Sequence, residues 1–367
     1  MINRPNLLTL LCIGLWPVAV SAQEAFFSEL ETKIRTQMEE NQVPGMALAF
    51  FEKGELVYSQ GIGMADVENG HPITLQTGFN IGSISKLFTA WGVMKLVEEG
   101  RIELDAPISS YVSRWQLPTT DYDLNKVTVR ALLSHTAGLS VHGYPGFPPQ
   151  AELPSLSASL DGENGPVRAN EPVELILEPQ TQFKYSGGGY TLLQLMIEEQ
   201  TGMPFQQYMD KEVFGPLKLR NTTFHLNRKT LKNSAQGYDE AGQPIPLVRF
   251  TAQAAAGLHT TLEDMIRFTN ASFEGNAVLA DETMATMREP EAVTEGKYGL
   301  GYMQYKLGPI RVRGHAGSND GWESGFFMDY DDQSGVIVLT NGSNGRDIAI
   351  FILRSWVKWK AQQTRRG

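Results

Sequence analysis

The sequence contains almost no cysteine and no strongly basic segment. Its single cysteine, Cys12, lies near the N-terminus, so disulfide bonds cannot stabilise the rest of the 367-residue chain. Stability must come from a hydrophobic core, and 41% hydrophobic with 20% charged residues is typical of an ordinary globular protein. The formal net charge is −10 and no basic run exceeds the Arg365-Arg366 pair, which excludes a nucleic-acid binder of the basic-patch type.

Two common hydrolase signatures are also missing. None of the six histidines has a metal-ligand spacing such as H-E-x-x-H, so we predict no metal site and no zinc-dependent reaction. No serine lies in the G-x-S-x-G context that an α/β-hydrolase esterase requires. We therefore expect chemistry by side chains alone, without a cofactor.

The N-terminus has the features of an export signal. Arg4 precedes an apolar run from Leu7 to Val20, and small residues at Val20 and Ala22 suit cleavage by a signal peptidase. A run of fourteen residues is short for a membrane span, which makes an uncleaved anchor helix the weaker alternative. We predict a signal peptide at residues 1–22 and a mature protein that is periplasmic or secreted, with no stable membrane anchor after cleavage.

Helical and strand patterns follow one another along the chain. Apolar residues at steps of four predict a helix over Phe26–Glu40, and a second, buried helix is predicted over Ser83–Glu99. The last helix is expected over Ile348–Lys360, where it would cover the C-terminal strands. Short apolar runs bounded by turns predict strands at 46–51, 56–58, 302–307, 310–315, 324–330 and 335–340.

These elements predict a mixed α/β (α+β) fold. An antiparallel sheet would be flanked by the N- and C-terminal helices, with a mostly helical domain inserted between the two halves of the sheet. We place the α/β domain at residues 23–100 and 246–367, and the mostly helical domain at residues 101–245.

The segment Ser83–Lys86 is the first candidate for chemistry. A serine and a lysine three residues apart lie on one helical face, so the amine can reach the hydroxyl. A serine hydroxyl needs such activation, and its backbone N–H at a helix start suits an oxyanion hole. The same spacing recurs at Ser355–Lys358, within the last predicted helix and far from any glycine. We interpret Ser355 as a chance match.

Four other segments accompany Ser83–Lys86 in a defined order. They are Leu132–Leu139 (LLSHTAGL), Phe183–Tyr190 (FKYSGGGY), Ala256–Thr261 (AGLHTT) and Gly314–Gly317 (GHAG). Together the five resemble the serine β-lactamase-like family, which contains class C β-lactamases, D-alanyl-D-alanine carboxypeptidases, D-aminopeptidases and related esterases. The resemblance covers roughly residues 28–357, and it implies an acyl-enzyme mechanism and a β-lactamase/transpeptidase-like fold.

The resemblance implies that Ser83 is the nucleophile, that Lys86 assists it, and that Tyr185 is the proton-transfer residue. A free tyrosine has a pKa near 10, so as a base Tyr185 would need stabilisation from cations such as Lys86 and His315. Whether Lys86 or Tyr185 is the base in acylation is left open. The alternatives without a catalytic role are a helix N-cap for Ser83 and a hydrogen-bonded core tyrosine for Tyr185.

The third motif of the family matches His315 and Gly317. The resemblance places them on an edge strand of the sheet, where they would contact substrate and where the N–H of Ser318 would be the second oxyanion donor. A hydrogen-bonded histidine with no contact to substrate is the alternative for His315. His135, in an accompanying segment, is expected to be structural.

Two positions depart from the family pattern. The second motif usually ends in Asn, which contacts the acyl side of the substrate, and this position is Gly187. The third motif usually has Thr or Ser where this chain has Ala316, so a hydroxyl that helps to bind a substrate carboxylate is absent. Each loss removes a polar contact from the pocket. We therefore expect short esters or neutral D-amino-acid derivatives to be better substrates than β-lactams.

The sequence thus predicts an exported serine hydrolase that acts on esters or on D-amino-acid peptides and amides. Its partner is a small-molecule or peptide substrate, with cell-wall-derived material among the candidates, and not a nucleic acid. A class C-like β-lactamase or a D-alanyl-D-alanine carboxypeptidase is the main alternative. A non-catalytic ligand sensor on the same fold is disfavoured, because it would not need Ser83, Lys86 and Tyr185 together.

Overall fold

The computed structural model describes residues 16–163 and 171–364. Residues 1–15 of the predicted signal peptide lie outside the described residues. Residues 16–22 are the beginning of the first helix. The signal peptide and the cellular location stay predictions. Within the described residues, no helix combines the length and the apolar character that a membrane crossing requires.

Helices and strands follow one another along the described chain. The α-helices are α1 (Trp16–Glu40), α2 (Ser85–Glu98), α3 (Val129–Leu133), α4 (Leu156–Leu160), α5 (Gly187–Thr201), α6 (Phe205–Met209), α7 (Arg228–Asn233), α8 (Gln253–Ala256), α9 (Leu262–Phe273), α10 (Asp281–Arg288) and α11 (Gly345–Thr364). The strands are β1 (Gly45–Glu52), β2 (Glu55–Asp66), β3 (His71–Pro72), β4 (Gly78–Asn80), β5 (Gly237–Tyr238), β6 (Pro244–Ile245), β7 (His259–Thr261), β8 (Met303–Leu307), β9 (Ile310–Asn319), β10 (Trp322–Asp329) and β11 (Ser334–Thr340).

A seven-stranded antiparallel sheet is the centre of the fold, with the strand order β3-β2-β1-β11-β10-β9-β8. β1 joins the two ends of the chain, because Leu48 lies opposite Gln60 in β2 and opposite Val338 in β11. The predicted mixed α/β fold with an antiparallel sheet is confirmed. The domain boundaries at residues 100 and 245 stay a prediction.

The central strands are covered on both faces, because successive side chains point into two different cores. In β1, Ala47 and Phe51 belong to the larger core, whereas Leu48 and Phe50 belong to the smaller one. α1 and α11 pack over the smaller core, and α2, α5 and α9 contribute to the larger core. This two-sided burial explains why β1 is continuously apolar in sequence.

α2 runs through the larger core and positions the nucleophile segment. Every residue from Ser85 to Met94 is buried, so the helix has no solvent-facing stripe over most of its length. We predicted one helix from Ser83 onward, but Gly82–Ile84 forms a 3-10 turn and the α-helix begins at Ser85. Gly82 has a φ of +53°, and a Cβ there would lie 2.6 Å from the backbone N of Ser318. Glycine is therefore required at this turn.

β4 and β7 form a separate two-stranded ladder that the sequence analysis did not predict. Phe79 pairs with Thr260, and Asn80 pairs with His259. Strands of three residues are too short for a period-two pattern to be recognised. The ladder matters for the site, because β4 leads directly into the turn that carries Ser83.

Candidate active site

The turn that carries Ser83 is fixed by hydrogen bonds from its neighbours. The Asn80 Oδ1 accepts a hydrogen bond from the Gly82 N–H at 3.0 Å and a second from the Asn319 amide at 2.6 Å. The Ser85 hydroxyl donates to the Gly82 carbonyl at 2.6 Å. Ser83 itself is half-buried, so its hydroxyl stands at the start of α2 with access from outside.

Lys86 lies behind Ser83 and is only 1% exposed. Its Nζ is 3.2 Å from Ser83 Oγ, and it donates a hydrogen bond to the Ala255 carbonyl at 2.7 Å. Burial lowers the pKa of Lys86 to about 7, and no carboxylate contributes to this pKa. A substantial fraction of Lys86 is therefore neutral near pH 7, and a neutral amine can accept the Ser83 proton.

Tyr185 borders the same two side chains. Its ring centroid is 4.9 Å from Lys86 Nζ, and its hydroxyl is within hydrogen-bonding reach of the Ser83 side chain. Burial raises the pKa of Tyr185, and the Ser83 hydroxyl only partly opposes this effect. This burial disfavours Tyr185 as a base, and the choice of base between Lys86 and Tyr185 stays a prediction. Its protonated hydroxyl fits a proton donor or relay.

His315 does not have the environment that we expected. It is 0% exposed, and its Nδ1 contacts the Ala316 carbonyl at 2.5 Å. Because a carbonyl only accepts, Nδ1 carries the proton and Nε2 accepts from the Tyr298 hydroxyl at 2.9 Å. Burial, with a smaller contribution from Lys86, lowers the pKa of His315 to about 3. Its ring is neutral and enclosed, so it supplies neither a cation to Tyr185 nor a surface to substrate.

Ser318 lies on an open edge of the sheet beside the nucleophile turn. β9 is not the last strand, but β8 pairs with it only from Ile310 to Gly314. In the described strands, residues 315–319 therefore have a neighbour on the β10 side alone. The Ser318 N atom would be 2.6 Å from a Cβ at Gly82, which brings its N–H next to the Ser83 turn.

Gly317 allows this close approach. A Cβ at Gly317 would lie 1.9 Å from the Ile81 carbonyl oxygen and 2.5 Å from Ser324 Oγ. Any side chain would push β9 away from the turn. Ser318 N thus lies beside the turn that carries Ser83, and we expect the two backbone N–H groups to be the oxyanion donors.

The departure at Gly187 has a structural cause. The Gly187 N–H donates to the His142 carbonyl at 3.0 Å, and a Cβ at Gly187 would lie 3.0 Å from that oxygen and 3.2 Å from Gly143 Cα. The exposed His142 ring has its centroid 4.8 Å from that of Tyr185. His142 could not be predicted as a neighbour of Tyr185, because no local sequence pattern predicts the course of this loop.

Glu323 is a second residue that the sequence analysis missed. It lies opposite Ser318 on β10, and the Ser318 hydroxyl donates to its Oε1 at 2.5 Å. Burial raises the pKa of Glu323 to about 7. No motif in the sequence includes this residue, and only the register of β9 and β10 brings it to Ser318.

The histidines near the site do not form a metal centre. His135 Nδ1 accepts the Ser186 N–H at 3.1 Å, and its buried ring has its centroid 4.1 Å from that of Tyr185. In residues 16–163 and 171–364, no group of three or more His, Cys, Asp or Glu side chains is placed to hold a metal ion.

The family of the chain follows from comparison with known proteins. Residues 30–352 match the Beta-lactamase family, and the chain belongs to it. The resemblance inferred from the five motifs is thereby confirmed. Members of this family are serine hydrolases.

Curated relatives have low sequence identity to the chain. It is 28% identical over 284 residues to a beta-lactamase of Yersinia enterocolitica, a match that covers 76% of this chain and 68% of the relative. It is 26% identical over 346 residues to penicillin-binding protein 4* of Bacillus subtilis, covering 89% and 74%. Protein flp of Staphylococcus aureus is 24% identical over 330 residues, which are 85% of this chain, and the chain spans 62% of the length of that relative.

Solved structures of similar fold cover most of the chain. An octameric penicillin-binding protein homologue from Pyrococcus abyssi superposes with a TM-score of 0.76 at 27% identity, covering 90% of this chain and 77% of that one. A beta-lactamase/D-alanine carboxypeptidase from Pseudomonas syringae has a TM-score of 0.72 at 23% identity, covering 90% and 98%. At that identity the second likeness shows the fold alone.

Proposed function

We propose that the protein is a hydrolase that forms an acyl-enzyme at Ser83. The observation that carries this proposal is the buried Lys86 Nζ, 3.2 Å from Ser83 Oγ, with a pKa lowered to about 7. Of the two bases considered, we propose Lys86 for acylation, because burial lowers its pKa to about 7 whereas burial raises the pKa of Tyr185.

The geometry supports a balanced sequence of proton transfers. Ser83 Oγ attacks the substrate carbonyl carbon while its proton moves to Lys86 Nζ, and the oxyanion is held by the N–H groups of Ser83 and Ser318. The bond to the leaving group breaks as that group takes the Tyr185 hydroxyl proton, which the Lys86 ammonium replaces. In deacylation a water molecule attacks the ester and gives its proton to Lys86, which returns one to Ser83.

We further propose that short esters or neutral D-amino-acid derivatives are the preferred substrates. Ala316 offers no hydroxyl, and Gly187 offers no amide and has the His142–Gly143 backbone 3.0–3.2 Å from the position of a Cβ. A hydrogen bond to a charged group is worth ~1.5–3 kcal/mol, so a carboxylate substrate would lose ~10–150-fold from the first absence alone. Reactive esters depend mainly on the nucleophile and the oxyanion donors, both of which are present.

A class C-like β-lactamase or a D-alanyl-D-alanine carboxypeptidase is the second candidate. The beta-lactamase of Yersinia enterocolitica favours it, as a relative at 28% identity over most of this chain. The missing Asn and hydroxyl at Gly187 and Ala316 argue against it.

The discriminating experiment compares p-nitrophenyl butyrate, D-alanine amide and nitrocefin as substrates of the wild type and of Ser83→Ala. We expect a higher kcat/KM for the butyrate than for nitrocefin, and loss of all turnover in Ser83→Ala. Faster nitrocefin hydrolysis by the wild type would establish the second candidate. Turnover that survives in Ser83→Ala would contradict the acyl-enzyme at this residue.

Ala316→Thr provides the matched test of the substrate preference. It adds the hydroxyl that the family pattern has, at an exposed position, and should shift relative kcat/KM toward nitrocefin. Gly187→Asn is a poorer test, because its Cβ would lie only 3.0–3.2 Å from the His142–Gly143 backbone, which would have to shift. No shift in Ala316→Thr would show that the carboxylate contact is not what limits β-lactam turnover.

We also propose that the protein is exported, on the strength of the N-terminal sequence. Expression of the full chain followed by N-terminal sequencing of the product should give a mature protein that begins at Gln23. Retention of residues 1–22 in a membrane fraction would favour the anchor alternative.

A further inference from the structure

His259, on β7, is a buried side chain that the proposed reaction does not use. It is 1% exposed, and within the described residues neither of its ring nitrogens has a hydrogen-bond partner. Burial lowers its pKa to about 4, so the ring is neutral and offers one donor and one acceptor. Buried polar atoms are rarely left unpaired, because desolvation without a partner is costly.

A cavity of about 380 Å³ borders this ring. His259 and Gly78 line it at the β4–β7 ladder, and a Cβ at Gly78 would lie 2.6 Å from His259 Nε2. The lining also includes Asp210 and Phe214, which belong to a π-helical turn that spans Asp210–Phe214. Such turns are rare in proteins, and those that occur are often found at functional sites.

The rim of the cavity has two exposed side chains of opposite charge. Arg220 and Asp210 both line it, and no salt bridge within the described part of the chain joins them or neutralises Arg220. The lining also contains polar amides and hydroxyls, among them Asn221 and Thr223. The cavity shares no lining residue with the Ser83 site.

We propose that this cavity is a second binding site, and that it takes a small zwitterion such as a free α-amino acid. The ligand carboxylate would bind Arg220, its ammonium would bind Asp210, and a side chain with a hydroxyl or amide would pair with His259. Alanine carries the two charged groups alone and therefore tests the charged pair. A simple anion would be repelled by Asp210, and a simple cation by Arg220. An apolar ligand would leave the polar lining unpaired. The inference concerns a site apart from the proposed catalytic centre and goes beyond the proposed hydrolase activity.

The site borders the strand that leads to the nucleophile. His259 is the register partner of Asn80, and the Asn80 side chain holds the Gly82 N–H. An occupant of the cavity is therefore separated from the Ser83 turn by one strand. The binding measurement must accordingly be independent of the state of Ser83.

The test uses the full protein with Ser83 blocked by a fluorophosphonate, and D-alanine and L-alanine as probes in saturation-transfer NMR and calorimetry. Alaninamide lacks the carboxylate and propionate lacks the ammonium, so both should bind at least ~10-fold more weakly than alanine, the scale of a lost charged contact. Equal binding of all probes would overturn the zwitterion assignment. Binding that disappears when Ser83 is blocked would place the probe in the catalytic centre and overturn the second site.

Arg220→Gln is the variant that tests the rim, and Arg311→Gln is its matched control. Both arginines are exposed, so neither change should affect folding, and Arg311 lies on β9 away from the cavity. We expect at least ~10-fold weaker alanine binding in Arg220→Gln and no change in Arg311→Gln. Unchanged binding in Arg220→Gln, or no detectable binding of either enantiomer to the blocked wild type, would mean that the cavity holds only solvent. Because the fluorophosphonate block requires a reactive Ser83, the same measurements are repeated on Ser83→Ala, so failure of the second site and failure of the proposed hydrolase activity are distinguishable.

Discussion

Two segments of this chain share the pattern Ser-x-x-Lys, and their surroundings differ in almost every respect. Ser83 stands on a 3-10 turn before α2, with Lys86 1% exposed and its Nζ 3.2 Å away. Ser355 lies inside α11, and Lys358 is exposed to solvent. Inside a helix the Ser355 N–H belongs to the i to i−4 ladder, whereas an N–H at a helix start has no intrahelical partner.

The difference shows that spacing alone does not make a serine reactive. What the Ser83 segment adds is burial, which lowers the pKa of Lys86 to about 7, and a turn that leaves a backbone N–H free to stabilise an oxyanion. The Gly317 segment of β9 contributes the rest, because only glycine lets Ser318 approach the turn. Reactivity at Ser83 thus depends on two distant chain segments together.

The most direct way to break the comparison is to remove each serine in turn. Ser83→Ala should lower kcat for p-nitrophenyl butyrate by ~10⁴–10⁶-fold, the scale observed when a catalytic serine is lost. Ser355→Ala should leave kcat unchanged. Intact-mass spectrometry after fluorophosphonate treatment should find one adduct, on the peptide that carries Ser83. An adduct on Ser355, or one that persists in Ser83→Ala, would reverse the assignment.

The second test removes the proton relay that only the Ser83 segment has. Tyr185→Phe should lower kcat by ~10²–10⁴-fold, because the leaving group loses its positioned acid, while the ring and the fold are kept. Tyr122→Phe serves as the control, because it removes the hydroxyl of an exposed tyrosine that is not a proposed site residue. A decrease smaller than about fivefold in Tyr185→Phe would mean that Lys86 or water delivers the proton directly.

The burial of Lys86 makes a prediction about pH. The amine must be neutral to accept a proton, so kcat/KM for the ester should rise about tenfold per pH unit below its pKa and level off above pH 7. Glu323 has a pKa of about the same value, so Glu323→Gln separates the two groups. The midpoint should persist in that variant. A midpoint that vanishes with Glu323 would assign the titration to the carboxyl and not to Lys86.

The smallest expected effect concerns the strand that supports the oxyanion donor. Ser318→Ala removes the hydroxyl that donates to Glu323 but keeps the backbone N–H. Loss of one such hydrogen bond corresponds to a ~2–10-fold decrease in rate. We expect this decrease in kcat, with KM little changed. A double variant with Glu323→Gln should be no worse than Ser318→Ala, because the two side chains act as a pair. Additive losses would show that Glu323 acts independently of Ser318.

Much of the fold could be predicted because its pattern is local. Each of the following elements is indicated by a sequence pattern of fewer than about ten residues: the continuous apolar run of β1, the turn after it and the four C-terminal strands. Their predicted bounds agree with the observed ones to within a few residues. The start of α2 was misplaced, since the 3-10 turn at Gly82–Ile84 depends on contact with β9. β4 and β7 were missed because three residues carry no periodicity.

The candidate site was harder to predict where contacts depend on distant segments. The motifs correctly brought Ser83, Lys86 and Tyr185 to one place. They did not indicate that His315 is enclosed, because that depends on Tyr298 from another part of the chain. They also did not reveal Glu323, which only the strand register places beside Ser318.

The position of β1 between β2 and β11 determines when the sheet can form. Met46 lies opposite Thr340, so the pairing has a very high contact order, and sheets of this kind form slowly. Until the C-terminal residues are synthesised, β1 has an unpaired edge and two apolar faces, which is the usual description of an aggregation-prone intermediate. A chain that ends after Asp329 would retain every proposed site residue but lack β11, one of the two partners of β1. We expect such a truncated chain to be insoluble and inactive, because the two ends of this protein fold together or not at all.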